Sequence, residues 1–213
     1  MKKTAALFDL DGTLVFQTKD YIERTVGNTV HDLGLTCDEN FVNYFWYGNG
    51  DRDKLIEKSL GIDYMSFWRV FWKNDSPEER VKHTGVYDDV TALKELRERG
   101  VKLGIVTGAL FKVADAEISK VLSKIQGCSI DSIISNNGCM RQKPYPDSLL
   151  TCIKELNVQS VDAVYVGNAR EDVKAARAAR IKPVVILREP IGRMNYGSSV
   201  EVINSLHEVA NII

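Results

Sequence analysis

Short apolar runs rich in Val and Ile alternate along this chain with segments of helical period. This pattern constrains the fold more than any other feature. Ala5 to Phe8 (with Thr4 before them), Val101 to Thr107, Ser132 to Ser135, Ala163 to Gly167 and Pro183 to Leu187 are the runs. None alternates cleanly between apolar and polar residues, which is how strands covered on both faces read. Asp88 to Gly100, Phe111 to Ile125, Asp147 to Leu156 and Glu171 to Ala179 carry helical spacing between them. In the first of these, Val90, Leu93 and Leu96 form one stripe and Gly100 supplies a stop. Strand–helix alternation predicts an α/β fold with a doubly wound, mostly parallel, Rossmann-like sheet. A last strand near residues 200–203 and a final helix through Val209 would close it.

Residues 16–84 interrupt the pattern. They show no buried strand, but helical stretches at Ile22–Leu33, Arg52–Leu60 and Tyr64–Lys73. Aromatics concentrate there: Phe41, Tyr44, Phe45, Trp46, Tyr47, Tyr64, Phe67, Trp68, Phe71 and Trp72. The segment reads as an inserted helical subdomain, with residues 1–15 and 85–213 forming the α/β core. Most of its aromatics are expected to build a small core, with a minority facing a substrate.

The chemistry-bearing residues fall where the runs end. In an open α/β sheet, ligands bind outside the carboxyl ends of the strands. The first run ends in Asp9-Leu10-Asp11-Gly12-Thr13-Leu14. Side chains at i and i+2 of a strand share a face, so Asp9 and Asp11 could serve one site. An Asp-Gly turn accounts for Asp11 and Gly12 but gives no reason for Asp9. The second run ends in Thr107-Gly108-Ala109, where a helix is expected to begin. Thr107 is then either an ordinary N-cap or part of an anion site at a helix amino end. Lys143 follows the third run, in a loop stiffened by Pro144 and Pro146. It is either a solvated surface lysine or a fixed ammonium suited to phosphate. The fourth run ends in Gly167-Asn168-Ala169-Arg170-Glu171-Asp172. Its acids complement a helix dipole or form a metal-facing loop with the oxygen donors that magnesium takes. Each motif alone is weak, but all four would open onto one crevice.

Composition narrows the rest. The chain has 213 residues and a formal net charge of -1, with no electrostatic footprint for nucleic acid or an anionic membrane. No apolar stretch is long enough to span a bilayer. The apolar run after Met1-Lys2-Lys3 stops at Asp9, too early for a signal-peptide h-region. Cys37, Cys128, Cys139 and Cys152 are scattered, with no C-x-x-C pair. They read as idle thiols of a reducing, cytoplasmic setting.

Taken together, these residues resemble the haloacid dehalogenase superfamily, and specifically its phosphoglycolate phosphatase-like members with a helical cap. The resemblance spans nearly the whole chain. Asp9-Leu-Asp-Gly-Thr-Leu14 is similar to the first motif, Thr107 to the second, and Lys143-Pro-Tyr-Pro-Asp147 to the third. Val166-Gly-Asn-Ala-Arg-Glu-Asp172 is similar to the fourth, and Gly85-Val86 to the return from the cap.

The resemblance implies a phosphatase that hydrolyses a small phosphate monoester through an aspartyl phosphate. Asp9 would be the nucleophile and Asp11 the acid and base. Thr107 and Gly108 would hold the phosphoryl group, with Gly12, Thr13 and Ala109 beside them, and Lys143 would neutralise charge. Mg²⁺ would be held by Asp9, the Asp11 carbonyl, Asn168 and Asp172. Arg52, after the glycine-rich Gly48-Asn-Gly-Asp51, is a further candidate for gripping substrate, or a helix-surface arginine. One departure stands out: Asn168 lies where the family usually carries an aspartate. This predicts a poorer metal site that leans on Asp172 or Glu171. A phosphomutase of the same superfamily and a member that binds phosphate ligands with little turnover are the alternatives. A receiver domain shares the acid pair, threonine and lysine, but not the helical insertion. A dehalogenase would lack Asp11. The expected partner is a small phosphorylated metabolite, with no nucleic acid and no membrane.

Overall fold

The computed structural model describes residues 3–47, 51–136, 141–188 and 200–213. The chain divides into two compact units, Met1–Phe16 with Val86–Ile213, and Gln17–Gly85.

The first unit is built on a six-stranded sheet. Its strands are β1 (Ala5–Phe8), β4 (Lys102–Leu110), β5 (Ser132–Asn136), β6 (Ala163–Gly167), β7 (Lys182–Ile186) and β8 (Glu201–Ile203). Their order is β5-β4-β1-β6-β7-β8, and every neighbouring pair is parallel. The chain winds outward from β1 through β4 to β5, then returns to β6 on the other side. This makes β1 and β6 the topological switch point, where such sheets bind ligands.

Both faces of the sheet are covered, which is why its strands read as continuous apolar runs. On one face Phe8, Leu103, Ile105 and Val166 pack with Leu93 and Leu96 of α6 (Ala92–Glu98) and Ile118 and Val121 of α7 (Phe111–Lys124). On the other, Leu7, Val106 and Tyr165 pack with Leu149 and Cys152 of α8 (Asp147–Leu156) and Ala175 and Ala176 of α9 (Arg170–Ala178). The sandwich is the α/β, doubly wound arrangement expected from the sequence.

Several boundaries differ from the sequence reading. The expected helix over Asp88 to Gly100 is a 3-10 turn at Asp88–Thr91 followed by α6. The final helix is a 3-10 segment, Leu206–Asn211. β4 runs on through Leu110, and α7 starts only at Phe111. The reason is a register shift: Val106 pairs with Ile134, but Leu110 pairs with Asn136. Thr107, Gly108 and Ala109 bulge out of the ladder between those pairs, as extra residues in one strand do.

The second unit is helical: α1 (Lys19–Asp32), α2 (Glu39–Tyr47), α3 (Arg52–Leu60), α4 (Tyr64–Asn74) and α5 (Pro77–Lys82). Short strands β2 (Val15–Gln17) and β3 (Thr84–Val86) pair where the chain passes from one unit to the other. Local chemistry starts the helices. Asp51 accepts the N–H of Lys54, Asp63 those of Met65 and Ser66, and Ser76 that of Glu79, with Pro77 in the first turn of α5; these are N-caps. Phe41, Phe45, Phe67 and Phe71 are buried with Ile22, Val26 and Ile56. Phe45 touches the rings of Phe41, Phe67, Trp68 and Phe71. Those aromatics are core, while Tyr44 and Trp72 are exposed.

Candidate functional site

The carboxyl ends of β1, β4 and β6, together with the loop after β5, carry the residues singled out by sequence. Asp9 follows β1 directly, and its N–H donates to Val166 O at 2.8 Å, which ties it to β6. The chain then folds back on itself. Leu10 O accepts the N–H groups of Thr13, Leu14 and Val15, and Gly12 N–H donates to Val15 O. Gly12 takes a φ of +72° to make this turn, a conformation that glycine adopts without a steric cost. A Cβ there would also stand 2.4 Å from Asn168 Nδ2. Asn168, at the end of β6, therefore lays its amide directly on the acidic loop after β1.

Lys143 lies at the centre. Its Nζ is 2.7 Å from Asp9 Oδ1 and 2.7 Å from Asp172 Oδ1, and 3.1 Å from Tyr165 Oη. The loop bearing it is braced by Arg141, which makes a two-pronged ion pair with Asp147 and lies over the ring of Tyr145. All three partners of Lys143 are buried. The Asp9 carboxyl is pushed up to about 7: burial raises it most, against the pull of Lys143, and Asp172 and, least, Asp11 add to the rise. Burial alone would lower the Lys143 ammonium, but Asp172 and Asp9 hold it well above its ordinary value. One ammonium thus serves two buried acidic side chains.

Asp172 was expected among the metal ligands. Its oxygens are engaged by protein donors: Oδ1 by Lys143 and Tyr165, Oδ2 by the N–H of Ala169 at 2.9 Å. The second contact also caps α9. Gly167 makes this possible, because a Cβ there would meet the Asp172 carboxyl at 2.5 Å. Among the described residues, no group of three or more His, Cys, Asp or Glu is arranged to hold a metal. Lys143 occupies the space between Asp9 and Asp172. Asp9, the Asp11 carbonyl and the Asn168 amide are the oxygen donors of the expected set that lie on the two loops packed together at Gly12, the ligand type that a hard divalent cation takes.

The other expected residues are distributed as follows. Thr107 is buried in the β4 bulge, and its hydroxyl accepts the N–H of Ala109 at 3.1 Å, so it shapes its own loop and caps no helix. Gly108 is exposed. Thr13 is fully buried, with no hydrogen-bond partner for Oγ1 among the described residues. Arg52 belongs to the helical unit, where it reaches Trp46 O and lies over the Phe45 ring. Gly48 to Gly50 of its glycine-rich loop lie outside the described residues, as does Cys139. Cys37, Cys128 and Cys152 are free thiols.

Sequence reasoning missed three participants. Tyr165 looked like one more apolar strand residue. Arg188 and Asp89 carried no functional expectation. Arg188 donates two hydrogen bonds to Asp89 and one to Thr13 O, and stacks on Tyr87 with its guanidinium carbon 3.9 Å from the ring centre. Asp89 also accepts the N–H of Leu206. This cluster ties the loop after β1 to Asp89 through the buried Arg188.

The chain is 30% identical to the phosphoglycolate phosphatase of Colwellia psychrerythraea, over 86% of its own length and 84% of the relative's. It is 26% identical to the pyrophosphatase PpaX of Bacillus thuringiensis, over 87% and 84%. Among solved structures it shares its fold with a hydrolase from Pseudomonas syringae, at a TM-score of 0.76 and 18% identity over 98% of this chain and 97% of that one. CbbY from Rhodobacter sphaeroides in complex with phosphate gives a TM-score of 0.71 at 19% identity, over 97% and 96%. The profile described as haloacid dehalogenase-like hydrolase matches residues 6–186, and the chain belongs to that family.

Proposed function

We propose that this protein is a phosphatase that hydrolyses a small phosphate monoester through an aspartyl phosphate on Asp9. The observation that carries this reading is the Lys143 ammonium 2.7 Å from a buried Asp9 carboxylate at the switch point of the sheet. A carboxylate approaching a phosphate ester faces like-charge repulsion, so a fixed cation beside it lowers the barrier by charge stabilisation.

In the first step an Asp9 oxygen attacks phosphorus, the ester P–O bond breaks, and Asp11 gives its proton to the departing alkoxide. In the second, Asp11 takes a proton from water, the hydroxide adds to phosphorus, and phosphate leaves with Asp9 regenerated. Thr107 and the backbone of Gly108 would hold the phosphoryl oxygens, while the turn at Gly12 and Thr13 shapes the loop beneath them. Magnesium, when held by Asp9, the Asp11 carbonyl and Asn168, would supply the positive charge that the acidic pocket lacks. Asp172 holds Lys143 in place and is not needed as a ligand.

The relatives' names put phosphoglycolate and pyrophosphate at the head of the substrate candidates. The helical unit would act as a cap, and the setting would be cytoplasmic. Free thiols at Cys37, Cys128 and Cys152 are in keeping with that setting, and no helix among the described residues is long and apolar enough to cross a membrane.

The test is phosphate release from a panel of phosphoglycolate, sugar phosphates, nucleotides, pyrophosphate and p-nitrophenyl phosphate, with and without Mg²⁺, beside Asp9→Asn. Mg²⁺-dependent release that vanishes in Asp9→Asn is expected. Turnover that survives this change would overturn the covalent route, and no turnover on any ester would overturn the phosphatase reading.

A further inference from the structure

Tyr165 is buried in β6, on the sheet face covered by α8 and α9. It pairs with Leu7 of β1. Its hydroxyl nevertheless lies 3.1 Å from Val106 O on β4, the strand beyond β1. The side chain therefore passes beneath the strand that delivers Asp9. At its tip the same oxygen is 3.1 Å from Lys143 Nζ and 3.2 Å from Asp172 Oδ1.

Donor counting decides what this arrangement does. An ammonium has three protons and no lone pair available; a tyrosine hydroxyl has one proton and two lone pairs. Lys143 finds three acceptors: Asp9 Oδ1, Asp172 Oδ1 and Tyr165 Oη. Tyr165 accepts from Lys143 and donates its own proton to Val106 O or Asp172. Each ammonium proton has a partner, and the rotation of the group is locked. The third acceptor is also neutral. A carboxylate in that place would add a third negative charge around one cation in a buried site, at high desolvation cost.

We infer that Tyr165 is a positioning residue for the proposed reaction, holding the Lys143 ammonium in the orientation that meets Asp9 and the phosphoryl group it receives. The inference rests on the phosphatase reading for its consequence, but the lock itself is independent of turnover.

Tyr165→Phe removes one oxygen and keeps the ring. With p-nitrophenyl phosphate and saturating Mg²⁺, kcat is expected to fall about tenfold to a hundredfold, the scale of one hydrogen bond to a charged group. KM and the Mg²⁺ requirement should stay unchanged, a split that loss of folded protein would not produce. The second readout needs no activity. In ¹⁵N-lysine-labelled full-length protein, a slowly exchanging ammonium signal that disappears in Lys143→Arg is expected, and in Tyr165→Phe it should exchange faster. Absence of such a signal in the wild type overturns the lock, even if Tyr165→Phe fails to fold. Unchanged exchange and unchanged kcat in a folded Tyr165→Phe overturn it as well. A wild type inactive on every ester that still shows the protected signal would refute the phosphatase reading while upholding the lock.

Discussion

Asn168 rests its side-chain amide on Gly12 so closely that a Cβ at Gly12 would lie 2.4 Å from Nδ2. The two loops that carry Asp9, Asp11 and Asn168 are thereby packed as one surface, with no room for a side chain between them. Gly12→Ala would introduce both this overlap and a left-handed backbone at a residue with a Cβ. That conformation costs about 1–2 kcal/mol. The expected outcome is a folded protein with turnover reduced at least about a hundredfold, since displacements of about an ångström can cost that much. Near-normal kcat in Gly12→Ala would show that the packing of Asn168 on the loop is dispensable.

Asparagine at position 168 offers an oxygen to a cation but no charge. Metal sites tune affinity by the number of charged ligands, so Asn168→Asp should bind Mg²⁺ more tightly, on the order of tenfold, or about 1.4 kcal/mol. The half-saturating Mg²⁺ concentration for turnover measures this. The rise in melting temperature with added Mg²⁺ measures it without turnover, because a ligand that binds the native state stabilises it. Equal titrations for both proteins would mean that charge at position 168 does not limit binding.

Asp172 partners Lys143 and caps α9. Asp172→Asn keeps an oxygen near Lys143 but removes the charge. Its kcat is expected to drop about a hundredfold, the scale of truncating one side of a buried charged hydrogen bond. The Mg²⁺ half-saturation should not move. A large increase in the Mg²⁺ requirement would return Asp172 to the ligand set.

The Asp89–Arg188 pair gives stability a pH dependence of definite sign. Burial works against the Asp89 carboxylate, yet hydrogen bonds from Arg188 and Leu206 and the Arg188 charge hold it below its ordinary 3.8. A carboxylate so depressed stabilises the fold fully above its ordinary value, and the contribution fades as pH falls through the lowered one. Asp89→Asn should therefore be less stable near pH 7, by roughly 1–3 kcal/mol. Its unfolding free energy should also fall less steeply than the wild type's between about pH 5 and pH 3. Urea unfolding at both pH values tests this; parallel losses in the two proteins would remove the pair as the source.

Much of the α/β layer was legible in the chain. Ala163–Gly167 and Asp147–Leu156 were read to the residue, because a strand buried on both faces and a helix with one apolar stripe carry local signatures. Less legible were elements whose boundaries depend on a neighbour. Thr107 looked like a helix cap because nothing local announces that β4 slips register against β5 and runs on to Leu110. The short strands β2 and β3 were missed, since three residues give no period.

The candidate site divides along the same line. Asp9, Asp11, Thr107, Lys143 and Asn168 could be picked out from sequence because each follows an apolar run, and in a parallel sheet such positions share one edge. Which partners each side chain meets once there depends on tertiary packing. Asp172, expected as a ligand, meets Lys143 and Tyr165 because Gly167 leaves it space to fold back. Tyr165 and Arg188 were invisible as participants, since hydrogen-bond partners 22 and 175 residues away leave no trace in local pattern. Residue type and order along the chain determined which groups arrive at the edge of the sheet; only the fold, by deciding which buried donor meets which acceptor, determined how they are held.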